Sequence, residues 1–277
     1  MIINFIGGNG EMGRTYVPAL KEYHEVIVTG RTSKPSIEDA AQQADLNIVC
    51  VPIPVTEEVI GKIAPDAKAI VDFTSVKVYP IEWMLRGDYN PEKQPVERTY
   101  EFMGGHPKHG KTSSLRGKNF IYCETERTRE TCRKFLQTLD SLGLNVKRMS
   151  PEKHDEIIAK EMIARARLLS AFMDGLMDTG LPIQEVYALS SPPTRVLIDL
   201  SARILSKKYT DLWKEIEKFN PYTNGEKGRG LFTELNRSIV RVLTGKTSGA
   251  KIEEFFGPEL ERAQKSAQKL IDLVTSE

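Results

Sequence analysis

Ile2-Ile3-Asn4-Phe5-Ile6-Gly7-Gly8-Asn9-Gly10-Glu11-Met12-Gly13 is the stretch on which the fold turns. A short apolar run enters a glycine cluster, and an amphipathic run over residues 11–22 follows. Strand, tight turn and helix in that order open a βαβ unit. Gly8, Gly10 and Gly13 fit the spacing G-x-G-x-x-G. In that pattern Gly8 permits the tight turn and Gly10 lets the backbone approach a pyrophosphate. Gly13 lets the helix pack against the strand, with helix N–H groups aimed at the phosphates. Glycine clusters mostly mark plain turns. Here the strand before, the helix after and a second apolar run at 25–29 supply the context that a dinucleotide site needs.

Outward from this stretch, apolar runs at 2–6, 25–29, 46–51, 69–72, 100–103, 119–123 and 145–148 read as strands. Helical patterns at 11–22, 36–43, 56–63 and 126–142 lie between them. The strands are apolar almost throughout, as parallel strands covered on both faces are. The expectation is an α/β domain over residues 1–150 with a doubly wound parallel sheet of the Rossmann kind. From Pro151 the strand signals stop. Residues 151–277 read as an all-α domain, broken at Gly180-Leu181-Pro182, at Asn220-Pro221-Tyr222 and over 225–230. The run 161–177, rich in Ala, Leu and Met around Arg165 and Arg167, reads as a central helix.

The totals remove several function classes. The chain has 277 residues, 40% of them apolar, and its 39 Lys+Arg against 38 Asp+Glu leave a formal net charge of +1. That balance gives no electrostatic case for nucleic acid or an anionic membrane as partner. No apolar run approaches the roughly 20 residues of a membrane span. The N-terminal apolar run lacks a basic lead and reads as a buried strand, not a signal peptide. Cys50, Cys123 and Cys132 form no C-x-x-C pair and no metal-type cluster with histidine, so no metal is expected. Free thiols suit a reducing cytoplasm.

The second candidate strand ends Val28-Thr29-Gly30-Arg31-Thr32-Ser33. An NAD-selective site usually places Asp or Glu there for the ribose 2′-hydroxyl. Arg31 with Thr32 and Ser33 suits a 2′-phosphate instead, so NADP is favoured over NAD; Arg31 as a solvated loop charge is the alternative. Met12 and Pro52 complete the expected cofactor-binding set. Two segments follow strand ends, where open α/β sheets place their sites: Asp72-Phe73-Thr74-Ser75-Val76-Lys77 and Gly104-Gly105-His106-Pro107-Lys108-His109-Gly110. His106, one of four histidines, falls on an expected loop between a glycine pair and a proline, where a core has no need of it.

With the glycine loop, these two segments, Ser113-Ser114-Leu115, the run 150–155 and Ala188-Leu189-Ser190-Ser191-Pro192, nearly the whole chain resembles the prephenate dehydrogenases and their arogenate-using relatives. The resemblance implies oxidative decarboxylation of prephenate to 4-hydroxyphenylpyruvate, with arogenate to tyrosine as the alternative, and hydride transfer to NAD(P). It places the catalytic histidine on His106 and its partner serine on Ser75. It puts a carboxylate-binding arginine on Arg203, with Arg195 eight residues earlier on a similar face; a salt bridge beside Asp199 is the other reading of Arg195. It also implies a homodimer through the helical domain. His154, next to Asp155, reads as a capping or interdomain residue. Ala166 stands where many members carry a histidine, so an anion contact could have passed to Arg165 or Arg167. Two rivals remain: another dehydrogenase of Rossmann-plus-helical build, disfavoured because 161–177 holds no lysine, and a non-catalytic NADP-sensing regulator.

Overall fold

The computed structural model describes residues 1–86, 100–223, 233–234, 237–238, 240–241, 244 and 249–275; the expected break over 225–230 lies outside them. The chain divides into two compact units, Met1–Ile158 with Phe219–Pro221, and Ala159–Lys218 with Tyr222–Glu277.

In the first unit β1 (Ile2–Ile6), β2 (Glu25–Thr29), β3 (Leu46–Val49), β4 (Ala69–Asp72), β5 (Glu101–Pro107), β6 (Asn119–Cys123) and β7 (Asn145–Arg148) form one sheet. Their order is β2-β1-β3-β4-β5-β6-β7. The chain leaves β1 to one side for β2 and returns on the other for β3. Such a reversal opens a crevice at the strands' carboxyl ends. Strands β1 to β5 are parallel, but β6 runs antiparallel to β5 and carries β7 with it. A fully parallel sheet would need a helical crossover at that step. Residues 108–118, which join β5 to β6, hold no helix, so the chain turns straight back.

The helices of this unit are α1 (Glu11–Leu20), α2 (Ile37–Gln43), α3 (Ile53–Ile63), α4 (Val78–Arg86), α5 (Glu130–Ser141) and α6 (Pro151–Ile158). Buried Ile3, Phe5, Leu46, Ile48, Val71 and Met103 of the strands pack with Tyr16 and Leu20 of α1 and Phe135 and Leu139 of α5. Phe73, just past β4, sits edge-on to Phe5, Tyr16 and Phe120 with ring centroids 5.2–5.8 Å apart. Two buried amides cross the strands without being orphaned, since Asn4 Nδ2 donates to Asn47 Oδ1 (2.9 Å) and Asn4 Oδ1 accepts from Thr29 Oγ1 (2.7 Å).

Three details depart from the sequence reading. The tight turn belongs to Gly7 (φ +87°), whose Cβ would lie 2.1 Å from the Cys50 carbonyl oxygen; Gly8 instead makes room for Val28. β5 extends through Gly104-Gly105-His106-Pro107, because pairing with β6 continues the strand past the end of β4. His106 therefore stands on a strand, not a loop. The strands end before Ser150 as expected, yet the first unit continues to Ile158. The reason is α6, whose His154, Asp155 and Ile158 are wholly buried.

The second unit contains a π-helical stretch (Ala159–Ala164), then α7 (Arg165–Met177), α8 (Ile183–Leu189), α9 (Pro192–Ile204), α10 (Lys207–Phe219, its last residue in the first unit), α11 (Gly249–Phe256), a 3₁₀ turn (Gly257–Glu259) and α12 (Leu260–Thr275). Among its described residues every regular element is helical. α9 packs against both α7 and α12. Leu189, Met177, Leu273 and Phe255 are exposed, Phe255 by 85%.

A Cβ at Gly13 would fall 2.2 Å from the Gly8 carbonyl oxygen, a backbone atom that cannot swing aside. Gly13→Ala is expected to cost about 1–3 kcal/mol of stability, read by urea unfolding. An unchanged midpoint would mean that the α1 contact is looser than drawn.

Candidate active site

The glycine loop follows β1, where the strand order reverses between β2 and β3. Gly10 caps α1 with extended backbone and no side-chain bond, so no side chain of the cap occupies the helix N-terminus. A helix end of that kind, with its amide dipoles converging, suits a pyrophosphate. A Cβ on exposed Gly10 would meet only the Gly7 carbonyl (3.1 Å), and one on Gly30 would meet nothing within 4 Å. The loop thus leaves room for a dinucleotide. Met12 is half-buried against the core. Pro52, past β3, caps α3 and accepts Thr56 Oγ1 through its carbonyl (3.1 Å).

Beyond β2, Arg31 and Thr32 are exposed, and the Arg31 charge reaches Glu58 of α3. Ser33 differs. Its hydroxyl accepts from Gly30 N (3.1 Å) and lies 2.8 Å from the Pro35 carbonyl oxygen. It holds the turn together, so its proton is engaged locally and Ser33 is a poor phosphate donor.

At the β4 and β5 ends the sequence-predicted residues become one hydrogen-bonded system, all within the first unit. Asp155 Oδ1 accepts Lys77 N (2.8 Å) and Oδ2 accepts Val78 N (2.9 Å), so the carboxylate caps α4 from α6. The same carboxylate accepts His154 Nδ1 at 2.7 Å, and His106 Nδ1 lies 2.7 Å from His154 Nε2. A carboxylate can only accept, so His154 carries its proton on Nδ1 and offers a lone pair at Nε2. His106 must then donate from Nδ1, which leaves its Nε2 unprotonated and basic. That atom has no hydrogen-bond partner among the described residues. His154 is consequently the partner of His106, in place of the capping or interdomain role its sequence position suggested. Only a fold that brings α6 beside β5 reveals this.

Burial holds the His106 imidazole well below the usual histidine range, helped by His154 and by the charges of Lys108, Lys77 and His109. Burial likewise lowers His154, against the raising effect of Asp155. Ser75 lies in the loop between β4 and α4, two residues before the capped Lys77; it is half-buried and its hydroxyl has no partner among the described residues. Within that loop Asp72 Oδ1 accepts Thr74 N (3.0 Å), Thr74 Oγ1 (2.6 Å) and the Lys77 ammonium. His109, the other histidine past β5, accepts from or donates to the Tyr16 hydroxyl at 3.0 Å and stacks on its ring, pinning the β5–β6 connection to α1.

Arg195 and Arg203 lie in the second unit, both on α9. Arg195 Nε donates to the Tyr187 carbonyl (3.1 Å), while Asp199 takes the Tyr187 hydroxyl. Arg203 is exposed, with its guanidinium 5.8 Å from the Tyr209 ring centroid. Arg167 is held by both oxygens of Glu217 (2.7 and 2.9 Å) and lies over Trp213; Arg165 is exposed.

The family described as prephenate dehydrogenase, nucleotide-binding domain, matches residues 24–147. A probable arogenate/prephenate dehydrogenase of Methanocaldococcus jannaschii is 27% identical, with 100% of this chain and 66% of the relative covered. The chain is thus similar to prephenate and arogenate dehydrogenases, and its residues 24–147 match their nucleotide-binding domain. A T-protein of Enterobacter agglomerans is 28% identical over 73% of this chain and 52% of its own length. The chain thus spans about half to two thirds of these curated relatives. The crystal structure of prephenate dehydrogenase from Aquifex aeolicus superposes with a TM-score of 0.63 at 18% identity, covering 96% of this chain and 99% of that one, which shows a shared fold.

The lowered histidines make a prediction about stability. A group whose folded value is depressed contributes fully above its unfolded value and loses that contribution as pH falls through the folded one. The melting temperature is expected to decline as pH drops below 6.5, the ordinary histidine value, and His154→Gln is expected to flatten the decline. An equally steep decline in the variant would place the acid sensitivity elsewhere.

Proposed function

We propose that this chain is a prephenate dehydrogenase, converting prephenate to 4-hydroxyphenylpyruvate with NADP as the favoured hydride acceptor. The observation that carries the reading is the chain Asp155–His154–His106, which leaves a basic Nε2 at the end of β5. When bound, the nicotinamide would accept the hydride. As the ring carbinol is oxidised its hydroxyl must lose a proton, and His106 Nε2 is the group in position to take it. The charge then gained by His106 is shared along His154 to the Asp155 carboxylate. Ser75, with its hydroxyl unspent, orients the same substrate hydroxyl. Loss of carbon dioxide aromatises the ring, so the protein need only position and deprotonate. Arg203, with Arg195 as the second candidate, anchors a substrate carboxylate.

The cofactor preference rests on Arg31 and Thr32 at the β2 end, where no carboxylate stands. The coarser likeness supports NAD as well: an Aquifex aeolicus prephenate dehydrogenase with a TM-score of 0.51 is described in complex with hydroxyphenyl propionate and NAD+. The homodimer expected through the second unit is supported by its exposed apolar side chains, among them Leu189, Met177, Leu273 and Phe255. The free thiols Cys50, Cys123 and Cys132 suit a cytoplasmic setting. A single micromolar mass measurement tests the dimer, and a monomer would overturn it.

Steady-state NAD(P)H formation with prephenate and with arogenate, against both cofactors, tests the whole reading. His106→Asn is expected to lower kcat by about 100-fold or more while KM changes little. In the parent enzyme the acid limb of the pH profile should fall below 6.5, since His106 is depressed from that value. A His106→Asn enzyme of near-parental kcat would overturn the assignment. Arg203→Ala should chiefly raise KM. Arg31→Ala should weaken NADP far more than NAD, by about 1.5–3 kcal/mol for a lost charge-assisted bond; equal parental affinities for the two cofactors would end the NADP preference.

A further inference from the structure

We propose that Lys77 and Asp72, a wholly buried ion pair, form an electrostatic part of this site: Lys77 positions the Ser75 loop and sets the proton affinity of His106. The inference rests on the reading of His106 as the base. Both side chains of the pair are 0% exposed. Buried ion pairs are a weak source of stability, because neutral groups of similar volume often serve the fold as well. Their presence at a strand end therefore asks for another reason.

Geometry supplies one. A Cβ at Gly104 would lie 2.8 Å from Lys77 Cδ and 3.4 Å from Asp72 Oδ2, so the lysine stem crosses β5 where only a glycine leaves space. His106 is two residues further along the same strand, and side chains two apart stand on one face of a sheet, about 7 Å from each other. The lysine stem and the imidazole are thus neighbours on one face of β5. Lys77 Nζ is fixed by Asp72 Oδ1 and lies 3.3 Å from Thr74 Oγ1, both in the loop that carries Ser75. The Lys77 backbone N–H is bound by Asp155, which also orients His154. One residue is therefore tied to the base, to its relay and to the serine loop. Asp72 Oδ2 is buried with no hydrogen-bond partner among the described residues, so the carboxylate is not saturated by its own loop.

The charged and titratable groups around His106 come from three directions: Lys77 and Asp72 from the β4 end, His154 and Asp155 from α6, and Lys108 and His109 from the segment after β5. A fixed cation beside His106 disfavours its protonated form, in line with the lowered histidine described above, to which Lys77 contributes.

The test is an NMR titration of the His106 ring in the full chain, which needs no substrate. In the double variant Asp72→Asn/Lys77→Met, neutral and similar in volume, the midpoint is expected to rise by about one pH unit, a tenfold gain in proton affinity. Lys77→Gln, which keeps a donor for Asp72 and Thr74, should move it in the same direction. A midpoint unchanged in both folded variants would overturn the inference, as would failure of both to fold, since the pair would then serve the fold and not the base. The kinetics of His106→Asn judge the dehydrogenase reading separately, so either idea can fail without the other.

Discussion

The site depends on one carboxylate. Asp155, itself out of solvent, accepts two backbone N–H groups at the start of α4 and one imidazole N–H from its own neighbour, all at 2.7–2.9 Å. Removing it would leave three donors without an acceptor, two of them, Lys77 N and His154 Nδ1, buried at a cost of about 1–3 kcal/mol each. Because the bonds to α4 fix the loop before it, and the bond to His154 fixes the partner of His106, Ser75 and His106 cannot drift independently. Asn220 Nδ2 donates to the Asp155 carbonyl at 2.8 Å, so a residue far along the chain holds the same corner from behind.

Direction matters in this arrangement as much as proximity. A chain of two neutral imidazoles has two possible proton orders, and only an acceptor-only terminus selects the one that leaves His106 Nε2 bare. The low proton affinity caused by burial then keeps that atom unprotonated near neutral pH. Geometry decides where the lone pair points, and desolvation decides that it is available.

Much of this was legible in the sequence, for physical reasons that can be named. Period and context identified the sheet unit, because buried parallel strands are apolar on both faces and the glycine spacing follows from backbone clearance at Gly13. His106 and Ser75 could be singled out because each follows an apolar run. What local pattern could not show was long-range. β5 continues through His106 only because β6 pairs with it, and nothing within Gly104–Pro107 announces that. α4, with Pro80 in its first turn, has its N-terminus capped by a residue 77 positions away and not by a neighbouring side chain. A hydroxyl beside Arg31 suits a phosphate contact by sequence alone, whereas in the fold the turn engages Ser33 Oγ. His154 was undervalued for the same cause as α4, since its partner is 48 residues distant.

His106, His154, Asp155 and the Ser75 loop all belong to the sheet unit, whereas Arg195 and Arg203 belong to the helical one. A protein so divided can vary its two halves separately. Substitutions along α9 leave the Asp155–His154–His106 hydrogen bonds untouched, because all three residues belong to the sheet unit. Natural variation can accumulate in the helices while the polar corner of the sheet stays as it is.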